Sequence, residues 1–229
     1  MSRPLVIAHR GAAARETENS LAAFRAARAL GADAVELDVH ATSDGGLVVH
    51  HDPDVNGLAI AAATLAEVRL RRLANGEAVP TLEEALDVIL PDLTAFVEVK
   101  GLSERWDGTL LAAFDRADAP EAIAVHSFDH ALIARLGRLK PAVHRGVLAD
   151  GAPADPVATV RAAGAEILWL RWPFVTEAAC DALHREGLRL FAWTVDAPEE
   201  MRRLLELGVD GLCTNHPERS RQAVDSLLS

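Results

Sequence analysis

The run Val35-Glu36-Leu37-Asp38-Val39 sets two carboxylates two residues apart, and Val48-Val49-His50-His51-Asp52 follows shortly after it. A β-strand sends alternate side chains to opposite faces, so Glu36 and Asp38 share one face while Val35, Leu37 and Val39 turn toward an apolar layer. Like charges held that close repel unless a cation lies between them, and hard oxygen donors suit Mg²⁺ or Ca²⁺ better than a soft metal. The pair therefore predicts a divalent-metal site. Glu98 and Lys100 repeat the two-residue spacing, so a second strand would aim a third carboxylate and an ammonium at the same place. An inward acidic cluster is costly unless a cation or paired base neutralises it, so packing does not account for it.

These residues need strands to present them, and the chain supplies eight short β-rich runs alternating with helical segments rich in Ala and Leu. The runs are 4–8, 34–39, 94–99, 122–126, 142–148, 166–170, 188–194 and 208–213. Helical periodicity covers 20–30, 82–89, 106–117, 130–139, 156–163, 177–186, 198–207 and 217–227. Asn19 or Ser20 can cap the first helix, Thr81 with Glu84 reads as a capping box, and Asp196 before Ala197-Pro198 reads as a cap. Eight β-then-α units in this length predict an α/β fold of the TIM (β/α)8 barrel type, with an open α/β sheet as the competing arrangement. One domain over 1–229 is expected, with a short insertion after the second strand at about 53–80 in which 64–73 forms an extra helix. In such a barrel the active site lies at the C-terminal ends of the strands. His9-Arg10, Glu36, Asp38, Glu98, Lys100, Ser127 and Trp193 all fall there.

Composition narrows the partners. The 229 residues carry 23 Lys and Arg against 34 Asp and Glu, a formal charge of −11 that opposes bulk binding to nucleic acid or anionic membrane. Apolar runs stop well short of the roughly 20 residues a membrane helix needs. No basic segment precedes an apolar one at the N-terminus, so no signal peptide or integral membrane association is expected. Cys180 and Cys213 match no metal or disulfide spacing, and a reduced, cytoplasmic protein is the expectation. Oligomeric state is not legible.

The motifs taken in order resemble the glycerophosphodiester phosphodiesterase family along almost the whole chain. His9-Arg10-Gly11 looks like its opening motif, and Glu18-Asn19-Ser20 is similar to its Glu-Asn-Thr. Gly31 to Val39 with Thr42, Asp44-Gly45 and His51-Asp52-Pro53 is similar to its central block. Pro80-Thr81-Leu82-Glu83-Glu84, Glu98-Val99-Lys100, Ser127-Phe128-Asp129, Trp193-Thr194-Val195 and Gly208 to Gly211 with Thr214 and Pro217 complete the order. Thr17 stands where that family has proline, and the stretch after Pro53 is short. The resemblance implies metal-dependent cleavage of a small-molecule glycerophosphodiester to an alcohol and glycerol 3-phosphate. It implies Glu36, Asp38 and Glu98 as ligands of Mg²⁺ or Ca²⁺, and His9 and His51 as acid and base in an order the sequence leaves open. In the route it suggests, a neighbouring glycerol hydroxyl attacks phosphorus and water opens the cyclic phosphate; direct attack by water is the other route.

The chemistry also fits the residue types themselves. A phosphodiester anion needs cations to offset charge on its oxygens, and imidazoles titrate near the working pH. Arg10 offers a planar fork to phosphate, Lys100 a point charge, and Trp193 an apolar wall for glycerol carbons. Only one of His50 and His51 can face the site, and His51 is preferred; among the other histidines His126 alone has a reading beyond structure or surface. Trp169, Trp172 and Phe174 form an aromatic cluster that either lines a pocket or packs, with packing slightly favoured. Two rival functions share the barrel: a lyase or isomerase that uses Lys100 as a Schiff-base amine, and a non-catalytic phosphate-ester binding module.

Overall fold

The structure, a computed structural model, describes residues 3–90 and 92–227. In chain order the first half holds β1 (Leu5–His9), α1 (Leu21–Ala29), β2 (Ala34–Ala41), β3 (Leu47–Val49), β4 (Asp54–Val55), β5 (Leu58–Ala59), α2 (Leu65–Arg69), α3 (Leu82–Ile89) and β6 (Thr94–Gly101). The second half holds α4 (Asp107–Arg116), β7 (Ile123–Ser127), α5 (His130–Leu139), β8 (His144–Ala149), α6 (Pro156–Ala162), β9 (Ile167–Arg171), α7 (Glu177–Arg185), β10 (Arg189–Trp193), α8 (Pro198–Glu206), β11 (Gly211–Thr214) and α9 (Pro217–Leu227).

Period-two alternation builds the barrel. Outward residues of the strands, such as Val35, Leu37, Val97, Val99 and Val125, are buried against apolar faces of the helices, for example Leu82 and Leu86 of α3. Each strand thereby needs a helix behind it, and right-handed βα crossovers lay successive strands in parallel. The sheet runs β1-β11-β10-β9-β8-β7-β6-β2, and β1 pairs with β2 to close it. The fold is therefore the TIM barrel expected. Inside, Ile7, Phe96, Leu148, Trp169 and Phe191 fill the lower barrel. Phe96, Trp169 and Phe191 meet edge to face with ring centroids 5.1–5.4 Å apart, which gives the mouth a rigid apolar floor.

The insertion after β2 begins with β3, antiparallel to the end of β2. It continues through the β4–β5 hairpin and α2, which close a small core of Val48, Val55, Ile60, Val68 and Val79. The extra helix is shorter than the expected 64–73. Arg69 swings to the Val79 carbonyl and the Glu84 carboxylate, and the chain then turns back so that Arg72 bridges to Ala78.

Local signals set most boundaries. Ser20 caps α1 by accepting from the Ala23 N–H, and Thr81 with Glu84 forms the reciprocal capping box of α3. Two expectations fail. Asp196 does not cap α8, whose N-cap is Ala197 with no side-chain bond; its carboxylate is engaged at the rim by Thr214 and Asn215 at the end of the neighbouring strand. The last strand begins at Gly211 rather than 208; Asp210, just before it, turns toward the helix layer, where its carboxylate accepts from the Leu190 N–H and meets His184 of α7.

Candidate active site

Parallel register places the polar residues in one layer. His9 of β1 lies opposite Glu36 of β2, Asp38 opposite Glu98 of β6, and Glu98 opposite His126 of β7. All these strands point their C-terminal ends to the same mouth, so side chains from four of them converge above the aromatic floor. Glu36, Asp38, Glu98 and His126 are buried there.

The turn after β1 is strained in order to deliver Arg10. Arg10 has a left-handed φ of 54° and Gly11 one of 82°, and a Cβ on Gly11 would sit 2.7 Å from the Ala23 backbone. Such a conformation costs a non-glycine residue about 1–3 kcal/mol and persists where the surroundings enforce it. Here the return is a cluster of contacts. The Arg10 N–H donates to Glu36 Oε2 at 3.0 Å, Nη1 donates to both Glu18 oxygens at 2.9 and 3.0 Å, and Nε lies 3.1 Å from Asp38 Oδ2. Asn19, also left-handed at φ 55°, donates from Nδ2 to the same Asp38 oxygen at 2.8 Å.

Asp38 is thus a hub for positive charge. Its Oδ1 pairs with Lys100 Nζ at 2.9 Å, and Lys100 also donates to Glu98 Oε1 at 2.8 Å. Burial alone would raise the Asp38 pKa, but Lys100, Arg10 and Asn19 outweigh it and hold the carboxyl below its ordinary range. The Lys100 ammonium is likewise kept charged: burial works against it, and Asp38 and Glu98 prevail.

Glu36 and His126 are left differently. Glu36 Oε1 is buried without a hydrogen-bond partner among the described residues, with His126 Nε2 4.0 Å away. Burial, then Asp38 and Glu98, push the Glu36 carboxyl well above the ordinary range, and burial pulls the His126 imidazole down to about 3. His126 is stacked on Trp169 at 4.2 Å with the rings 7° apart, and its Nδ1 also lacks a partner. Ligand atoms of Glu36, Glu98 and His126 lie within 4.8 Å of one another. An unpartnered carboxylate oxygen, a neutral imidazole and a second carboxylate form a donor set that fits a divalent cation, whose charge would offset the burial and repulsion that raise the Glu36 pKa.

Two further histidines border this group. His9 Nδ1 bonds Asn215 Oδ1 at 2.8 Å, and burial, aided by Arg10, holds the His9 pKa below the ordinary histidine value. His51, at the end of β3, bonds Asp52 Oδ1 through Nδ1 at 2.8 Å. One pocket at the mouth is lined by His9, Arg10, Glu36, His51, Glu98 and Lys100 on its polar side. Phe128, Leu148, Trp169 and Trp193 line its apolar side, where Phe128 packs edge-on against Trp193 at 5.7 Å. Such a two-faced cavity suits a small ligand with an anionic end and a hydrocarbon end.

Of the residues singled out from the sequence, His9, Arg10, Glu36, His51, Glu98, Lys100 and Trp193 line this pocket, whereas Asp38, Ser127 and His50 are absent from the lining. Asp38 enters as the partner of Arg10, Lys100 and Asn19 rather than through a free oxygen. Of the aromatic group, Trp169 lies inside the barrel, whereas Trp172 packs behind the strands and Phe174 is partly exposed. Sequence reasoning passed over Asn215, read Asp196 only as a helix cap, and set His126 apart from the other histidines without assigning it a role. His126 had a signal, since it stands two residues after the inward Ala124.

The profile of the glycerophosphoryl diester phosphodiesterase family matches residues 9–219. A glycerophosphodiester phosphodiesterase of Caldanaerobacter subterraneus subsp. tengcongensis is 30% identical over 236 residues, covering 94% of this chain and 96% of that protein. A probable glycerophosphodiester phosphodiesterase 2 of Mycobacterium tuberculosis is 31% identical, covering 96% and 90%. Among solved structures, a glycerophosphodiester phosphodiesterase of Parabacteroides distasonis superposes with a TM-score of 0.91 at 26% identity, covering 99% of each chain. An Oleispira antarctica phosphodiesterase in complex with the product sn-glycerol-3-phosphate superposes with a TM-score of 0.88 at 25% identity, covering 97% of each.

Proposed function

The chain belongs to the glycerophosphoryl diester phosphodiesterase family and is a phosphodiesterase, and from that premise we propose that it hydrolyses glycerophosphodiesters to an alcohol and glycerol 3-phosphate with a divalent cation, His9 and His51 moving the protons. One observation carries the reading: two histidines, Arg10, Lys100 and a buried acidic cluster line the same pocket, opposite an apolar wall. The Oleispira relative's complex with sn-glycerol-3-phosphate supports the product.

Glu36 and Glu98 would hold the cation, Mg²⁺ or Ca²⁺, with His126 as a nitrogen donor beside Glu36, and Asp38 would join them by giving up the Lys100 contact to its Oδ1. When bound, it offsets the negative charge that builds on the phosphate oxygens. Arg10 and Lys100, the cations on the pocket's polar side, bind the same oxygens. A neighbouring glycerol hydroxyl loses its proton to one imidazole as its oxygen attacks phosphorus, and the other imidazole protonates the departing alcohol. Water then opens the cyclic phosphate with the two roles reversed. Trp193 lies against the glycerol carbons, and its buried indole N–H, which has no partner among the described residues, donates to a substrate oxygen. Both cysteines are free and buried, in keeping with a reducing cytoplasm as the location. No described helix is long and apolar enough to cross a membrane.

Turnover of glycerophosphodiesters, with products identified by ³¹P NMR, tests the proposal. His9→Ala and His51→Ala should each lose about 10²-fold or more in kcat. A wild-type rate in either variant removes that histidine from the reaction.

A further inference from the structure

The turn that follows β11 reaches back to His9 through two residues that the chemistry above does not use. Asp196, between β10 and α8, commits both carboxylate oxygens to this turn. Oδ1 accepts from the Thr214 hydroxyl at 3.0 Å and from the Asn215 backbone N–H at 2.9 Å, and Oδ2 accepts from Asn215 Nδ2 at 2.8 Å. An ionised carboxylate can only accept, so it fixes which end of the Asn215 amide faces it. A flipped amide would set carbonyl oxygen against carboxylate oxygen. The Asn215 Oδ1 is left facing His9 Nδ1 at 2.8 Å. A carbonyl oxygen also only accepts, so His9 Nδ1 bears the proton, and in the neutral ring the lone pair is on Nε2.

We propose that Asp196 and Asn215 are positioning residues for the reaction: acting through the Asn215 amide, Asp196 locks His9 in the Nδ1–H tautomer, so that Nε2 is the atom that accepts a proton from substrate. The intervening amide matters. A carboxylate bonded directly to Nδ1 would favour the charged ring, whereas an amide fixes orientation and tautomer without that pull. The chain of three residues joins the ends of β1, β10 and β11, so it also ties the rim of the mouth on the side away from Glu98. The proposal rests on the reading that His9 transfers a proton, and it assigns His9 the accepting half of that transfer in the first step.

The tautomer is read without turnover, from long-range ¹H–¹⁵N correlations of the histidine rings at one alkaline pH, with and without Mg²⁺. His9 signals are assigned by their loss in His9→Gln. Wild-type protein should show the Nδ1–H pattern for His9. Asp196→Asn frees the amide to turn, so the single tautomer is lost and kcat falls about 10-fold with KM little changed, in the range usual for residues that orient a functional histidine. The exchanged pair Asp196→Asn with Asn215→Asp restores an acceptor at Nδ1 and should recover the tautomer, while its carboxylate, now directly on the ring, should shift the His9 titration upward relative to the wild type. An Nε2–H pattern in the wild type overturns the proposal. So does an Asp196→Asn variant that keeps wild-type kcat, and so does an exchanged pair that folds with wild-type Tm yet does not recover the tautomer. Wild-type turnover in His9→Ala would instead overturn the reading of His9 as a proton-transfer residue, whatever the tautomer.

Discussion

Replacing Lys100 with methionine isolates the charge balance at the mouth. The metal-free site holds Glu36, Asp38 and Glu98 against Arg10 and Lys100, and Lys100 bridges two of these carboxylates, at 2.9 Å from Asp38 and 2.8 Å from Glu98. Lys100 is 16% exposed and Asp38 1%, so solvent screens the pair weakly. Removing one partner of a buried pair costs about 3–5 kcal/mol, and the lower end applies because Asp38 keeps Arg10 and Asn19. For a chain of 229 residues about 3 kcal/mol corresponds to a fall in Tm of about 6–12 °C. Methionine keeps the unbranched stem, so packing changes little. Thermal unfolding followed by circular dichroism in EDTA gives the shift, and Glu98→Gln added to Lys100→Met should recover much of it by removing the stranded charge. Excess Mg²⁺ should raise the variant's Tm more than the wild type's, because a cation then meets a more negative site. A Lys100→Met variant within about 2 °C of wild type in EDTA would refute the reasoning.

The buried His126 makes metal-free stability depend on acid. Its pKa is about 3 in the folded chain against an ordinary 6.5, so the unfolded state binds the extra proton and stability is lost as pH falls below 6.5. Glu36, raised in the folded state, works in the opposite direction. The His126 contribution is therefore read as wild type minus His126→Gln in denaturant unfolding in EDTA; it should shrink by about 1.4 kcal/mol per pH unit below 6.5, and a flat difference down to pH 4.5 contradicts the assignment. Gly146→Ala places a Cβ 2.7 Å from the Trp169 indole and 3.3 Å from the His126 Cβ. It should cost about 1–3 kcal/mol and change tryptophan fluorescence as Trp169 tilts off His126, whereas an unchanged Tm and spectrum would show that the stack yields freely.

What the sequence made legible follows from the range of the forces involved. Alternation along a strand is local, so Glu36 with Asp38 and Glu98 with Lys100 could be aimed inward without coordinates, and capping by Thr81 and Glu84 likewise depends on four consecutive residues. Helices α3, α5 and α9 have the bounds their periodicity predicts. Asp196 shows where local reading stops: an Asp two residues before proline looks like a cap, yet three hydrogen bonds from Thr214 and Asn215 compete for its carboxylate and prevail. The His9–Asn215 bond joins residues 206 apart, so only barrel closure brings them together. The pairing of Asp38 with two cations was hidden for a related reason, since Arg10 reaches it only through the left-handed turn at the end of β1. His126 was legible in principle, because the spacing that turned Glu98 inward also turns His126 inward in the register of the next strand.

The central claim is that a divalent cation held at Glu36 and its neighbours carries phosphodiester cleavage. Turnover of a panel of glycerophosphodiesters with Mg²⁺, Ca²⁺ or EDTA, for the wild type and for Glu36→Ala, measures it most directly. The account predicts release of glycerol 3-phosphate that EDTA abolishes, that added Mg²⁺ or Ca²⁺ restores, and that Glu36→Ala lacks under every condition. Hydrolysis that survives both EDTA and the Glu36 substitution would contradict it.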